Sequence, residues 1–300
     1  MKKAKERTIK SILQGSQEYL AKQGVDTPRL DAEVLLADLL QTERIKLYVN
    51  YDYPLNEREL TILRKRLRQR ARGKPVSYLT GKKEFMSLQL EVQEEVLIPR
   101  PETEELVEKV LEISQEQQWS SPRIVDVGTG SGAILVSLLY YIPQALGVGI
   151  DISPEALKVA RKNLKKHGLT DRAAVLEGDL LEPLLPEKRG EVDIVISNPP
   201  YIPAAELEEL SAEVKEEPVL ALAGGEDGLV FYRKLIPQAN DILKPGGLLA
   251  LEIGQDQGET IGQIFKDSGW HDSQLILDGA GRERIYLAWK GKKGDGDRSS

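Results

Sequence analysis

The chain has 300 residues, of which 40% are hydrophobic and 30% are charged, and this suits a globular enzyme of two domains. The formal net charge of −7 argues against direct, stable nucleic-acid binding, because duplex binders carry a concentrated positive face. The lack of cysteine excludes disulfides and a cysteine nucleophile and favours a reducing compartment. No stretch approaches the roughly 18 apolar residues of a membrane span. We therefore expect a cytoplasmic protein with no secretory signal and no membrane contact.

The first 80 residues have a helical pattern. Apolar residues recur at three- and four-residue steps, beginning with Ile9, Ile12 and Leu13, as in amphipathic helices. Residues 1–80 are therefore predicted to form a small all-α domain for substrate recognition. The basic segment Arg64–Arg72 within it is interpreted as a solvated helix face, with contact to an acidic or RNA-bearing partner as the alternative.

The pattern changes after residue 80. Apolar residues alternate between Phe85 and Val92, which predicts a short hairpin in a linker at 81–101. From 102 to 290, helical and strand patterns alternate, which predicts a mostly parallel sheet covered by helices on both faces. Residues 291–300 are polar and glycine-rich and are expected to be disordered.

The predicted elements of this second domain follow one another in chain order. The helices are Glu102–Ile113, Ala133–Tyr141, Pro154–His167, Gly228–Ile242 and Gly258–Ser268. The strands are Arg123–Val127, Ala145–Ile150, Ala173–Leu176, Val192–Ser197, Gly247–Ile253 and Arg284–Trp289.

A glycine-rich loop follows the first of these strands. Glycines permit a tight turn and close approach of the backbone to a ligand, and the next helix presents unpaired N–H groups. The second strand ends in Asp151, about 20 residues on, where a carboxylate can accept hydrogen bonds from a ribose. A nicotinamide cofactor and S-adenosylmethionine both fit these features. The candidate cofactor residues in the loop are Asp126, Gly128, Thr129, Gly130, Ser131 and Gly132.

Two further acids favour the sulfonium cofactor. Asp126 lies two residues before the first glycine, where a carboxylate can face a positive charge, although a turn-capping role fits it nearly as well. The third strand runs into Asp179 and Leu180, which places an acid suited to an adenine amino group at the same sheet edge. Metal chemistry is not expected, because the two histidines, His167 and His271, have no ligand spacing.

The fourth strand runs into Asn198-Pro199-Pro200-Tyr201. The fourth strand of a doubly wound sheet commonly pairs with the first, at the switch point where ligands bind. The Asn198 side chain and the Pro199 carbonyl can then accept both hydrogens of an NH₂ group, while Tyr201 stacks on the planar group that carries it. Such a clamp suits methylation of an amide or exocyclic nitrogen, whose developing positive charge it stabilises.

With these residues in view, the chain resembles the peptide-chain release factor glutamine N5-methyltransferases, the HemK/PrmC family. The resemblance extends to about residue 290. Besides the glycine loop and Asn198–Tyr201, it is carried by Pro75–Gly81, Leu97–Glu104, Gly224–Leu229 and Leu251–Gln255.

The resemblance implies a seven-stranded, doubly wound, Rossmann-like methyltransferase sheet of the class I type behind a helical domain. It implies S-adenosylmethionine as cofactor and, as partner and substrate, the glutamine of the Gly-Gly-Gln motif in class 1 release factors. It suggests Gly128–Gly132, Asp151, Leu180 and Asn198 around the cofactor. It suggests Asn198, Pro199, Pro200 and Tyr201 around the glutamine, with Arg100 and Glu102 lining the same pocket. The sequence departs from the family at Glu102, where aspartate is common, and at Leu180, where some relatives carry an aromatic residue.

Three alternatives remain at this point. A ribosomal-protein glutamine would need an almost identical pocket. N6-adenine or N2-guanine methylation of nucleic acid uses similar loops, but the acidic balance and the lack of a base-reading domain disfavour it. A non-catalytic cofactor-binding regulator would have no use for an NH₂ clamp.

Overall fold

The computed structural model describes residues 7–185 and 189–291. Most of the tail expected to be disordered, 292–300, lies outside the described residues. The chain divides into two compact units, one of residues 1–82 with 211–216, the other of residues 83–210 with 217–300. Within the two described stretches, no helix is long and apolar enough to cross a membrane.

The first unit is helical, as predicted. Capping residues fix where its longer helices begin: Asn56 and Glu59 exchange side chain–backbone hydrogen bonds of 2.8 and 2.9 Å at the start of α4, a capping box. Leu35, Leu36 and Leu60 are fully buried where the helices meet. The helices are α1 (Ile9–Lys22), α2 (Pro28–Leu39), α3 (Arg44–Val49), α4 (Glu57–Arg70) and α5 (Val76–Thr80).

Three charged residues are buried within the described part of the helical unit, Asp31, Glu33 and Arg70, and Arg70 is the only cation among them. Arg70, 7% exposed, donates from Nε to Asp31 Oδ2 at 2.6 Å and from Nη2 to Glu213 Oε2 at 2.8 Å. Asp31 is 5% exposed. The guanidinium thereby joins α2, α4 and the segment 211–216.

The second unit begins with the predicted hairpin and continues into an α/β sheet. The hairpin turns at Met86 and Ser87, inside the segment of alternating apolar residues, so its first strand begins before that segment. The strands are β1 (Lys82–Phe85), β2 (Leu88–Glu91), β3 (Arg123–Val127), β4 (Leu146–Asp151), β5 (Ala173–Glu177), β6 (Val192–Ser197), β7 (Leu243–Glu252), β8 (Asp272–Leu277) and β9 (Glu283–Trp289). The helices are α6 (Pro101–Glu116), α7 (Ala133–Tyr141), α8 (Pro154–Lys166), α9 (Val230–Ile242) and α10 (Gly258–Asp267).

The main sheet has seven strands in the order β5-β4-β3-β6-β7-β9-β8. The first five are parallel, and β9 is antiparallel to both of its neighbours. Side chains of β3 alternate between two cores on opposite faces, Ile124 in one and Val125 in the other. Helices α6 and α7 cover the first face, and α9 and α10 the second. The seven-stranded doubly wound fold is thereby confirmed.

The bounds of β3, α7 and β6 are those predicted from the sequence. Strand β8 was missed. Its residues Asp272–Leu277 are exposed or half-buried throughout, and it pairs with β9 alone at the sheet edge. An edge strand with no buried face lacks the period-two apolar pattern by which strands are recognised.

We expect Arg70→Ala to destabilise the helical unit by about 3 kcal/mol, because it leaves the carboxylate of Asp31 buried without its partner. Native-state hydrogen exchange of the α2 and α4 amides in the full chain measures this loss. The matched control is Arg68→Ala, whose side chain is exposed on the same helix; it should change protection by less than about 0.5 kcal/mol. Equal protection in the two variants would contradict a structural role for the buried ion pair.

Candidate active site

The loop between β3 and α7 is a left-handed turn built on glycine. Gly128, Gly130 and Gly132 have φ of 68°, 54° and 79°, a region that residues with a Cβ rarely adopt. At Gly132 an added Cβ would also lie 3.2 Å from the Cβ of Ala160 on α8. The N–H of Gly128 donates to the carbonyl of Ile150 at 2.8 Å. The loop is thus held against the end of β4.

A buried carboxylate supports this loop from behind. Asp126 is fully buried, and its Oδ2 accepts from the hydroxyl of Thr129 at 2.6 Å and from the N–H of Leu135 at 3.2 Å. Burial raises the pKa of Asp126 to about 7. The geometry favours the turn-capping role that sequence reasoning weighed against a direct ligand contact.

Asp151 lies at the end of β4 beside the loop. Its Oδ2 accepts from the N–H of Gly130 at 2.8 Å, and its Oδ1 from that of Ser153 at 2.9 Å. Burial raises the pKa of Asp151, against the effect of these two hydrogen bonds. The carboxylate therefore links the glycine loop to the start of α8.

A cavity of about 510 Å³ opens at this edge of the sheet, within the range of small-molecule sites. Six predicted cofactor residues line it, one of which, Asn198, is also a predicted substrate residue, together with two further predicted substrate residues. They are Gly128, Gly130, Asp151, Asp179, Leu180, Asn198, Pro199 and Pro200. Among the other residues that line the cavity, Leu97 belongs to a segment that carries the family resemblance. The lining residues within 94–96, 152–156, 218–221 and 230–234 were not predicted as site residues.

Seven predicted site residues do not line the cavity: Arg100, Glu102, Asp126, Thr129, Ser131, Gly132 and Tyr201. Thr129 and Ser131 are buried in the turn. The Ser131 carbonyl accepts a hydrogen bond from the Asn163 amide at 2.8 Å. Thr129 and Ser131 thus lie inside the glycine loop, whose Gly128 and Gly130 border the cavity.

The Asn198–Tyr201 loop leaves the end of β6, which pairs with β3 as predicted, Ser197 opposite Val127. Asn198 Nδ2 donates to Thr103 Oγ1 at 3.0 Å, and that hydroxyl donates to Glu252 Oε2 at 2.6 Å. The other carboxamide atom, Asn198 Oδ1, accepts nothing from the residues that the structure describes. Because Asn198 lines the cavity, this oxygen is available to accept a hydrogen bond from a ligand.

Tyr201 is fixed at both ends. Its hydroxyl donates to Glu252 Oε1 at 3.4 Å, and its carbonyl accepts from Gln257 Nε2 at 3.1 Å. Burial, with the neighbouring Glu252, raises the pKa of Tyr201 to about 12. Burial likewise raises the pKa of Glu252 to about 7. Tyr201 is therefore a neutral phenol at physiological pH.

Arg100 pairs with a buried carboxylate. Its Nη2 lies 2.5 Å from Oε1 of Glu217, whose Oε2 accepts from the N–H of Ile98 at 3.3 Å. The side chain of Glu217 is fully buried. The pair joins the segment before α6 to residues 217–221, part of which lines the cavity. Among 7–185 and 189–291, no cluster of His, Asp or Glu could hold a metal ion.

Sequence reasoning assigned no role to Thr103, Glu252 or Gln257. All three lie in or beside segments on which the family resemblance rests. A usable signal was present at Thr103 and Glu252, which are polar residues at buried positions of an apolar helix face and an apolar strand. Buried polar side chains are hydrogen-bonded, so such positions indicate a network.

Comparison with known proteins agrees with this architecture. Residues 11–81 match the family described as PrmC N-terminal domain, and residues 120–277 match the family described as Methyltransferase domain. The release factor glutamine methyltransferase of Moorella thermoacetica is 45% identical, over 94% of this chain and 99% of that protein. The protein of the same name from Geobacter sulfurreducens is 42% identical, over 93% of this chain and 95% of that one.

Among solved structures, the catalytic domain of hMettl16 in complex with MAT2A 3′UTR hairpin 1 has a TM-score of 0.57 at 16% identity. The alignment covers 92% of this chain and 91% of that chain. At such low identity this likeness shows the fold alone.

The seven-stranded sheet, the glycine loop and the matched domain define an S-adenosylmethionine-dependent methyltransferase. Within that class, the identity to curated relatives over almost their whole length is specific. The chain belongs to the family of release factor glutamine methyltransferases.

We expect Asp151→Asn to weaken S-adenosylmethionine binding at least tenfold, or about 1.4 kcal/mol, because the carboxylate borders the cavity and holds the Gly130 N–H. Isothermal titration calorimetry measures the affinity. Asp171→Asn, at an exposed position between α8 and β5, is the matched control and should bind as the wild type does. Unchanged affinity in Asp151→Asn would remove Asp151 from the cofactor site.

Proposed function

We propose that the chain transfers a methyl group from S-adenosylmethionine to the side-chain amide nitrogen of the glutamine in the Gly-Gly-Gln motif of class 1 release factors. The observation that carries the proposal is the position of Asn198. Its carboxamide borders the cavity that the glycine loop also borders, with Oδ1 left as an acceptor. The names of the relatives support a release factor glutamine as the acceptor.

The residues present fit the cofactor. The cavity has the volume of a small-molecule site and is bordered by the glycine turn, Asp151, Asp179 and Leu180. Asp151 suits ribose hydroxyls, and Asp179 an adenine amino group. Leu180 offers an apolar contact to the adenine ring. When bound, the cofactor supplies an electrophilic methyl group on a positively charged sulfur.

The chain's own residues prepare the nucleophile. A glutamine amide nitrogen is weakly nucleophilic, because its lone pair is delocalised into the carbonyl. Asn198 Oδ1 and the Pro199 carbonyl would each accept one N–H of the substrate amide, and both prolines have no N–H with which to compete. Acceptors on both hydrogens stabilise the positive charge that the nitrogen gains as the new N–C bond forms. The extra proton can leave afterwards, so no strong general base is needed.

Tyr201 and the helical unit complete the proposal. Stacking of Tyr201 on the planar amide would orient the glutamine for attack. Arg100 and Glu102 would act near the same pocket, Arg100 through its buried partner Glu217.

Residues 1–80 would recognise the release factor, and the linker 81–101 would join them to the methyltransferase domain at 102–290. The cytoplasm would be the site of action.

We expect Asn198→Ala to lower kcat by at least about 100-fold, because one of the two acceptors of the developing charge is lost. Cofactor affinity should stay within about twofold, since other residues border the cofactor end of the cavity. The assay is mass spectrometry of a Gly-Gly-Gln release factor and its peptide after incubation with enzyme and cofactor. Asn240→Ala on α9 is the matched control and should retain full turnover.

The same experiment tests the alternatives. Methylation of a ribosomal-protein glutamine, or of an adenine or guanine amine in nucleic acid, with the release factor left unmodified, would overturn the proposed substrate. A modified release factor with the methyl group on a residue other than the Gly-Gly-Gln glutamine would overturn the proposed site.

A further inference from the structure

Two buried residues, Thr103 and Glu252, form a chain of hydrogen bonds to the Asn198 side chain. The role inferred for them below rests on the proposed function. We propose that Thr103 and Glu252 are positioning residues that fix which end of the Asn198 carboxamide faces the substrate, and that they do so only while Glu252 is ionised. Neither residue borders the cavity. Their role would be to set the direction of a short chain of hydrogen bonds.

The geometry of the chain is continuous from β7 to the clamp. Glu252 is at the end of β7, and Thr103 is in the first turn of α6. The Thr103 hydroxyl lies 2.6 Å from Glu252 Oε2 and 3.0 Å from Asn198 Nδ2. Glu252 is 1% exposed and Thr103 3% exposed, so the chain lies away from solvent.

The direction of the two hydrogen bonds follows from the number of donor hydrogens that each group has. An ionised carboxylate can only accept, so Thr103 must give its single hydroxyl hydrogen to Glu252. The Thr103 oxygen is then left as an acceptor and must receive from the NH₂ of Asn198. Oδ1 consequently faces the cavity. The opposite orientation would point the NH₂ of Asn198 at the NH₂ of the substrate, donor against donor, and the clamp would fail.

Protonation of Glu252 removes this constraint. A neutral carboxylic acid carries a donor of its own and can give it to Thr103, whose hydrogen is then free to bond Asn198 Oδ1. Both orientations of the carboxamide become satisfied, and the fraction of clamps facing the substrate correctly falls. Glu252 therefore has to be deprotonated for the clamp to be fixed.

The surroundings of Glu252 place this change in an accessible range of pH. Burial raises the pKa of Glu252 to about 7, with Glu102 of α6 adding to the increase and Arg284 of β9 opposing it. The hydroxyl of Tyr201 faces Oε1 at 3.4 Å. The hydroxyl of Tyr232 on α9 donates to the Glu252 main-chain carbonyl at 2.9 Å. Asp278, 3.6 Å from Arg284, shares the charge of that guanidinium.

The sign of the pH effect is fixed by the raised pKa. Above about 7 Glu252 is ionised and the clamp is oriented; below it the acid form predominates and orientation is lost. We therefore expect kcat, measured with saturating cofactor and Gly-Gly-Gln peptide, to fall as pH decreases through about 7. The amide of the substrate does not titrate there.

The decisive kinetic comparison uses near-isosteric variants. In Glu252→Gln the acidic limb of the kcat profile should disappear, because the variant has no proton to gain at this position. Thr103→Val should lower kcat at least about tenfold at pH 8 and also lose the limb, with cofactor affinity within about twofold of wild type. Thr103→Ser, which keeps the hydroxyl, should restore most of the turnover and the limb.

A control variant separates this effect from titration of the cofactor loop. Asp126 is a second carboxyl whose pKa is raised to about 7, so Asp126→Asn is measured beside the others and should retain the limb. An acidic limb that survives Glu252→Gln, or that disappears in Asp126→Asn alone, would overturn the proposal. So would a Thr103→Val enzyme with wild-type kcat and pH profile.

A spectroscopic test keeps this inference separate from the proposed substrate. In ¹⁵N-labelled, cofactor-bound protein at pH 8, the Asn198 side-chain NH₂ should show a nuclear Overhauser contact to Thr103 that weakens as pH falls through about 7. In Glu252→Gln the contact should not depend on pH. If wild type leaves the glutamine peptide unmethylated while this pattern holds, the proposed function fails and the positioning role stands. A pH-independent contact in wild type would overturn the positioning role, whatever the substrate.

Discussion

The hydrogen-bonded register of β3 with its two neighbours is the constraint on which the site depends. Val127, the last residue of β3, lies opposite Ile150 of β4 on one side and Ser197 of β6 on the other. Because these strands are parallel, the loops that follow them leave the sheet at one edge. The glycine turn, Asp151 and Asn198 are brought to one cavity by this pairing, although Gly132 and Asn198 lie 66 positions apart in sequence.

That convergence places carboxylates where water is scarce. Asp126 and Glu252 are almost completely buried, and burial raises the pKa of each to about 7. Both are held by hydroxyl donors, Asp126 by Thr129 and Glu252 by Thr103. A buried carboxylate is unfavourable unless it is hydrogen-bonded. Both oxygens of Glu252 have a hydroxyl donor, whereas Asp126 accepts at Oδ2 alone and its Oδ1 has no partner among the described residues. Asp126 is bonded within the glycine loop, and Glu252 is linked through Thr103 to Asn198.

Much of the fold was predictable because its strands are buried on both faces and its turns carry glycine. The bounds of β3, α7 and β6 follow directly from apolar runs and the glycine signal. Strand β8 was not predicted, because an edge strand without a buried face has no periodic pattern of apolar residues. The positions of Asn198 and Asp151 at the border of the cavity were predictable, because both are polar residues at strand ends. The hydrogen bonds of Thr103 were not predictable, because they join residues that lie 95 and 149 positions away in sequence.

The buried network also explains why an apolar residue would not serve in place of Glu252. A leucine there would be as apolar as its neighbours on β7, but it would leave the hydroxyls of Thr103 and Tyr201 without their acceptor. The Thr103 hydroxyl would then be free to donate to Asn198, and under the proposed function a carboxamide with two equivalent orientations would not hold a substrate NH₂. Only a group that accepts and never donates fixes the direction of both hydrogen bonds. In the proposed role, the buried carboxylate of Glu252 would therefore set the direction in which the Asn198 carboxamide presents its oxygen.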